Sequence, residues 1–517
     1  MNVLIINLTR FGDLIQTQPV ISGFSGRGDR VGLVCLENFA SAAALLDGVD
    51  QVFSFPGAKL LSGLDRDWRL AVRDAAGFRA SVLETFPPDV TVNLTPSVAC
   101  RLLAFDLTPP GGATVGFSVD ELGFNADTSA WAAFLQMAGA NRGASPFNVC
   151  DIFRRTAGLG REGNSLELAE PDEAALRAAA ALLAPVPSED CLAVQMGASE
   201  DRRRWPVDYF ISMARTLWER RGLVPVLVGA KGEAGLGERF AAAADFPFVD
   251  CIGRTSLTEL AGVLVRCRAL ITNDTGTMHL AAGLGVPVCA IFLATAQPWD
   301  TGPYRAGNIC LEPDLDCHPC EFGKPCPNGE ACRRAVTPEA VCACVDALLA
   351  GGDPAPVSGA RAWRTLAGED GFMILASLSG HEATDRAAWI TMQRVHFRRF
   401  LDGEPPGAAT GLGQSMESGL RAAISKTLTS AADMLFLLIQ QGVLLTKNPK
   451  PAAKTKFLAS WQRLQSILQS DQHLDILGLL WVFESQRHGD DLASLLSLAQ
   501  RYRDLFAALC DDLGWSA

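Results

Sequence analysis

Between Leu270 and Val288 the chain reads Leu-Ile-Thr-Asn-Asp-Thr-Gly-Thr-Met-His-Leu-Ala-Ala-Gly-Leu-Gly-Val-Pro-Val. The apolar start predicts a strand ending at Thr272. A polar turn through Asp274, Thr275 and Gly276 follows, and a helix built on small residues starts there. The free N–H groups of a first helical turn, aided by the helix dipole, form an anion site. Glycine lets a ligand approach the backbone, and ligands of open α/β sheets bind at the carboxyl ends of strands, where this turn lies. The plainer alternative is a helix cap by Asp274 or Thr275. A second constellation is Cys317, Cys320, Cys326 and Cys332, spaced C-x2-C-x5-C-x5-C, with Cys310, Cys342 and Cys344 near. Four such thiols in a reducing compartment suit a tetrahedral structural Zn or Fe site, closed to substrate; the alternative is free or disulfide-paired thiols in an irregular loop. A third feature is Asp13, which follows the first apolar run and Gly12. Its carboxylate is expected either to face a cleft or to cap a helix.

The elements that must hold these residues alternate. Strands are expected at Val3–Leu8, Val31–Leu36, Val49–Phe53 and Asp89–Leu94, with helices at Leu14–Phe24 and Phe39–Leu46. Short apolar runs separated by helical stretches argue for a doubly wound parallel sheet. The span Gly158–Asp190, with its Gly158-Leu159-Gly160-Arg161-Glu162-Gly163 run, a helix over Glu173–Leu183 and Pro185 and Pro187, reads as a connection. The pattern then restarts. Strands are expected at Cys191–Gln195, Val224–Val228, Phe248–Cys251, Ala269–Thr272 and Val288–Phe292. Helices are expected at Val207–Arg220, Ala234–Ala244, Ser256–Cys267, Thr277–Leu284 and Pro338–Leu349. Gly351–Gly359 is a linker by composition. Beyond it Leu420, Ile424, Leu428, Ala431, Leu435 and Ile439 recur at helical steps, and an all-α tail of four or five helices follows. The expected domains are 1–165, 166–350 and a helical extension, 351–517.

With 517 residues, three domains are a reasonable prior, and 48% hydrophobic against 20% charged residues suits a globular chain with a large core. The net charge is -12, but residues 361–517 carry 16 basic and 16 acidic groups, so the excess lies wholly in the preceding body. That balance argues against a nucleic-acid partner, which needs a net positive face. It leaves room for an anionic small ligand in a local positive pocket, such as one near Arg202, Arg203 and Arg204. No targeting segment is expected at the N-terminus, which reads as a buried strand. The apolar stretch Met434–Leu445 is short for a bilayer span. Core cysteines such as Cys35, Cys191 and Cys289 fit a reducing compartment, so the cytosol, extending to peripheral contact with the inner membrane, is the expected location.

The segment Leu270–Val288 resembles the nucleotide-sugar signature of glycosyltransferase family 9, the lipopolysaccharide heptosyltransferase family. So do Leu8-Thr9-Arg10-Phe11-Gly12-Asp13-Leu14, Gly197-Ala198-Ser199 with Arg203-Arg204-Trp205-Pro206, and Val228-Gly229-Ala230-Lys231-Gly232-Glu233. These motifs span roughly the first 345 residues. The resemblance implies a GT-B fold, with two Rossmann-like doubly wound domains facing a cleft. The first domain would be the acceptor side and the second the nucleotide-sugar side. It implies Asp13 as general base, Ser199 and Arg203 on the donor diphosphate, with arginine in place of the family's lysine, and Glu233 on the nucleoside. It implies Asp274 on hydroxyls of the sugar, Thr275 and Gly276 as amide donors, and His279 as a ligand contact or a core residue. The expected reaction moves a sugar, heptose by the family default, from a nucleotide-diphosphate donor such as ADP-heptose to a hydroxyl of a lipopolysaccharide-type acceptor, with inversion. No Asp-x-Asp pair stands in the cleft motifs, so no catalytic cofactor is expected. Similar cysteines hold iron in one branch that modifies autotransporter proteins, though the spacing differs. Competing readings are a sugar-nucleotide epimerase, a non-catalytic nucleotide-sugar-binding scaffold, and a protein glycosyltransferase acting on an autotransporter or flagellin. The 351–517 extension lies outside the resemblance. Its Lys447, Lys450, Lys454 and Lys456 form a small basic cluster, either a solvated loop or a contact for an anionic lipid or sugar.

Overall fold

The computed structural model describes residues 1–140, 145–160, 165–184, 186, 190–355, 357–407, 410–489 and 491–515. Arg161, Glu162, Gly163, Pro185 and Pro187 of the expected connection, and Pro356 of the expected linker, lie outside them. The chain divides into two compact units, residues 1–124 with 147–379, and residues 125–146 with 380–517.

The first unit holds two sheets. In one, β1 (Asn2–Ile6), β2 (Arg30–Leu36), β3 (Gln51–Phe55), β4 (Val90–Asn93) and β5 (Ala113–Gly116) lie in the order β3-β2-β1-β4-β5, every pair parallel. Val3 to Ile6 are buried on both faces, as a continuous apolar run in a parallel sheet should be. The chain builds outward from β1 to β3, then crosses back to β4. The crevice at the carboxyl ends of β1 and β4 is therefore a topological switch point, and the loop carrying Asp13 leaves β1 there.

The second sheet repeats the device. Its strands are β6 (Cys191–Gln195), β7 (Val224–Val228), β8 (Val249–Asp250), β9 (Leu270–Asn273), β10 (Val288–Ile291), β11 (Ile309–Pro313), β12 (Ala360–Ala367) and β13 (Met373–Ser377), in the order β13-β12-β11-β10-β9-β6-β7-β8. The switch point lies between β6 and β9, which are paired in parallel. The loops after these two strands carry Ser199 and Arg203 on one side and Asp274 to Gly276 on the other. Leu192, Val194, Trp205, Phe210, Leu227, Ile271 and Ile291 form its core. The architecture is the expected α/β GT-B arrangement.

Several elements differ from expectation. Phe39–Leu46 is a 3-10 stretch, Glu37–Leu45, and not an α-helix. β5 and β11 join their sheets although no strand is expected there. β12 and β13 come from the span expected to be wholly helical; they add two antiparallel strands to the edge of the second sheet.

The second unit is helical. Ala130–Ala140 joins Asp385–Leu401, Ser418–Lys447, Pro451–Leu468, Asp475–Arg487 and Leu492–Asp512. Ser418–Lys447 packs against both Pro451–Leu468 and Leu492–Asp512, burying Leu428, Leu435 and Leu438. It extends the apolar Met434–Leu445 run in both directions, and by length and composition it could cross a membrane.

Candidate functional site

Amide side chains close the central strands of both sheets and set their loops. Asn273, fully buried at the end of β9, donates from Nδ2 to the carbonyls of Met196 (2.9 Å) and Gly197 (3.0 Å), and its Oδ1 accepts from the Trp205 amide at 3.0 Å. One side chain thus pins both ends of the loop after β6, each bond contributing about 0.5–1.5 kcal/mol. Trp205 anchors the far end by donating its indole N–H to the Val336 carbonyl at 2.8 Å.

That loop turns one arginine of three inward. Arg203 is buried, donates to Ser199 Oγ at 3.1 Å and forms a close ion pair with Asp274. Arg202 instead binds Glu200 (2.8 Å) and the Lys324 carbonyl (3.0 Å), and Arg204 binds the Ala198 carbonyl. Thr275 opens the helix Gly276–Gly283 in extended backbone, and its hydroxyl makes no capping bond to the helix; it shares one with Thr272 at 3.2 Å. Capping by Thr275 is therefore not what this turn does. Asp274, Thr275 and Gly276 all remain partly exposed.

Glu233 lies in the same crevice. Its carboxylate accepts from Gln195 Nε2 (3.0 Å) and the Ala230 amide (2.8 Å). It sits directly over two glycines: a Cβ at Gly197 would stand 1.5 Å from one carboxylate oxygen, and one at Gly229 2.4 Å from the other. Gln195 also accepts from Thr277 Oγ1 at 3.4 Å, linking Glu233 to the first turn of the anion-site helix.

Asp13 approaches from the first sheet. It is half-buried at the third position of the short helix Phe11–Ile15, and its Oδ2 accepts from the Arg10 amide at 3.4 Å. Its carbonyl accepts from Thr17 Oγ1 (3.0 Å) and Asn7 Nδ2 (3.2 Å), and Asn7 also donates to Thr17 at 2.7 Å, so buried polar groups hold the turn. The turn meets the anion-site helix backbone to backbone. A Cβ at Gly12 would lie 3.2 Å from Gly276 Cα, and one at Gly276 would lie 2.6 Å from the Phe11 ring. His279 is buried with its ring edge beneath this contact, 3.3 Å from the same Gly12 Cβ position, so it is packed in the core of the junction.

Residues 148–331 match the profile of glycosyltransferase family 9 (heptosyltransferase). That segment, about a third of the chain, is similar to this family. It is 36% identical over 118 residues to lipopolysaccharide heptosyltransferase 1 of Pseudomonas aeruginosa, covering 23% of this chain and 32% of the relative. It is 28% identical over 155 residues to lipooligosaccharide heptosyltransferase 2 of Campylobacter jejuni, covering 29% of this chain and 48% of the relative. The chain thus matches between a third and a half of the length of these curated relatives. Two solved structures share the fold. The glycosyl transferase family 9 structure from Veillonella parvula has a TM-score of 0.56 at 18% identity, over 68% of this chain and 97% of that one. The E. coli ADP-heptose lps heptosyltransferase II structure has a TM-score of 0.53 at 17% identity, over 68% and 99%.

The family-matched residues include Ser199, Arg203, Glu233, Asp274, Thr275, Gly276 and His279; Asp13 and Cys332 lie outside them. The structure brings those seven and Asp13 into one region of the first unit. The expected metal centre is a correction. Among the described residues no three His, Cys, Asp or Glu side chains are placed to hold a metal ion. Cys317 is exposed while Cys332 is buried, and Cys326 Sγ accepts from the Glu330 amide at 3.3 Å, so the four thiols lie near one another without forming a ligand set. Burial, and secondarily the nearby thiols, raise the Cys320 and Cys332 pKa values. Among the described residues the cysteines form no disulfide. Four residues of the site's framework, Asn7, Gln195, Asn273 and Thr277, were not expected from the sequence. A readable signal exists for three: an amide residue directly follows or ends an apolar strand at Asn7, Gln195 and Asn273.

Proposed function

We propose that this chain is an inverting glycosyltransferase that transfers heptose from ADP-heptose to a hydroxyl of a lipopolysaccharide inner-core glycan, working in the cytoplasm. The observation that carries this reading is the contact between Gly12 and Gly276, which sets the Asp13 turn against the partly exposed Asp274–Gly276 turn that opens the helix after β9. The names of the relatives support heptose and a lipopolysaccharide acceptor.

In this reading the donor diphosphate lies on the amides of Gly276 and Thr277, with Arg203 and Ser199 beside it, and Glu233 holds the nucleoside ribose. Asp274 orients the Arg203 guanidinium and meets sugar hydroxyls. The acceptor oxygen forms its bond to the anomeric carbon as the bond from that carbon to the diphosphate oxygen breaks. The electron pair leaves with ADP, and the acceptor proton passes to the Asp13 carboxylate. Fixed amides and a buried guanidinium aimed at the leaving group stabilise its developing charge without reorganising.

The test uses the full chain and its Asp13→Ala variant. ADP-heptose should raise the thermal stability of both, as any ligand of the folded state does. ADP release with inner-core acceptor should fall about 10²–10⁴-fold in the variant. Loss of donor stabilisation together with turnover would reject the base assignment. Turnover only with an autotransporter or flagellin polypeptide would move the acceptor to protein.

A further inference from the structure

The helical unit carries a charge and apolar pattern that the donor site does not use. From Met434 to Ser470, 37 residues, there is no acidic residue and there are five basic ones: Lys447, Lys450, Lys454, Lys456 and Arg463. The whole chain carries a net charge of -12, so this segment runs against the balance of the protein. All five basic residues are exposed, and none forms an ion pair among the described residues.

The same segment exposes large apolar side chains in an ordered way. On the helix Ser418–Lys447, Leu428, Ala431, Leu435, Leu438 and Gly442 are buried against its neighbours. At 100° per residue these occupy one arc, and Phe436, Leu437, Gln440, Val443, Leu444 and Lys447 occupy the opposite arc, with the exposed Asp433 at its start. Phe436 is 50% and Leu444 63% exposed, with Leu437 and Val443 exposed beside them. The next helix, Pro451–Leu468, continues the pattern, with Leu458 exposed one turn beyond Lys454. One face of the long helix is committed to the bundle, so the helix is built to lie along a surface and not to cross one.

We infer that this face, Phe436, Leu437, Val443 and Leu444 with Lys447, Lys450, Lys454 and Lys456, docks onto an anionic membrane surface. Apolar side chains on such a face enter the boundary between headgroups and acyl chains. Lysines at its edge extend their ammonium groups to lipid phosphates. An uninterrupted positive segment on an acidic protein is complementary to a negative leaflet and is repelled by little within its own stretch of chain. The segment belongs to the helical unit, outside residues 148–331, and contains none of the donor-site residues.

The experiment is co-flotation of the full chain with vesicles of phosphatidylcholine alone, or of phosphatidylcholine with about a third phosphatidylglycerol. The expected result is binding to the anionic vesicles at least about tenfold stronger than to the neutral ones, and weakened by salt. Two variants separate the contributions: Lys447→Glu/Lys450→Glu/Lys454→Glu/Lys456→Glu, and Phe436→Ser/Leu444→Ser. All six positions are exposed, and circular dichroism melts check that the helical unit is retained. Each variant should lose about tenfold or more of the partitioning. Failure of the unaltered chain to bind anionic vesicles overturns the inference, as does unchanged binding by the charge-reversed variant. Light scattering gives a third outcome: a mass of two chains that reverts to one chain in Phe436→Ser/Leu444→Ser assigns the face to self-association and also overturns it.

Discussion

Asp274 and Asp512 are both aspartates drawn against a basic side chain inside the protein, and they differ in what else surrounds them. Asp512, in the helical unit, is fully buried. It accepts from His396 Nε2 (2.8 Å), the Thr410 amide and hydroxyl (2.9 Å each) and the Gly411 amide (2.8 Å). Burial pushes its carboxyl up, and the bonds from Thr410 and His396 more than offset this, leaving it below the usual range. Its acceptor capacity is spent on the fold. Asp274 is paired with Arg203 at the carboxyl end of β9, in a turn whose backbone still reaches the surface. A saturated carboxylate closes a structure. In the proposed function Asp274, at the partly exposed turn after β9, meets a ligand where Asp512 meets only the fold.

The strongest way to break this comparison is to remove each carboxylate. Asp512→Ala should cost about 3–5 kcal/mol of unfolding free energy in urea, because buried donors lose their acceptor, while ADP-heptose affinity measured by calorimetry stays unchanged. Asp274→Ala should lower that affinity at least about tenfold in addition to destabilising, since Arg203 loses its orientation. Equal effects of both variants on affinity would erase the distinction. A smaller effect sharpens the picture of Glu233. Gly197→Ala drives a methyl into its carboxylate and should weaken ADP-heptose binding about 10–100-fold, whereas Gly232→Ala, which meets open space, should leave it unchanged. The smallest effect concerns a buried acid in the helical unit. Glu484 accepts from Tyr502 at 2.9 Å, and burial holds its carboxyl above the ordinary glutamate range. A raised pKa contributes stability that is fully present below the unfolded value and lost as pH rises through the folded one. Glu484→Gln removes that loss, so its stability relative to the parent chain should grow as pH rises above the ordinary glutamate range. A constant difference across that rise would place the Glu484 carboxyl at its ordinary value.

Much of the first unit was legible because its strands are buried on both faces and therefore read as unbroken apolar runs: Val3–Ile6, Cys191–Gln195, Val224–Val228 and Leu270–Asn273. The turn at Asp274–Gly276 was legible for a local reason, a polar turn between a strand and a small-residue helix. β5, β11, β12 and β13 were missed where the runs are short or sit beside Gly- and Cys-rich sequence, and their pairing depends on partners distant in the chain.

From its residue types alone, this chain determined that two doubly wound sheets would form, that a polar turn into a small-residue helix would follow β9, and that a helical region would come after the second sheet. Tertiary structure decided the rest. It chose Arg203 over Arg202 and Arg204, and pressed Gly12 against Gly276. It took residues 125–146 into the helical unit, where Trp131 donates to Asp402 at 2.8 Å. The reason is physical. Periodicity and turn chemistry act over a few residues and can be read in order, whereas apolar burial has no direction and states that a face is covered without saying by what.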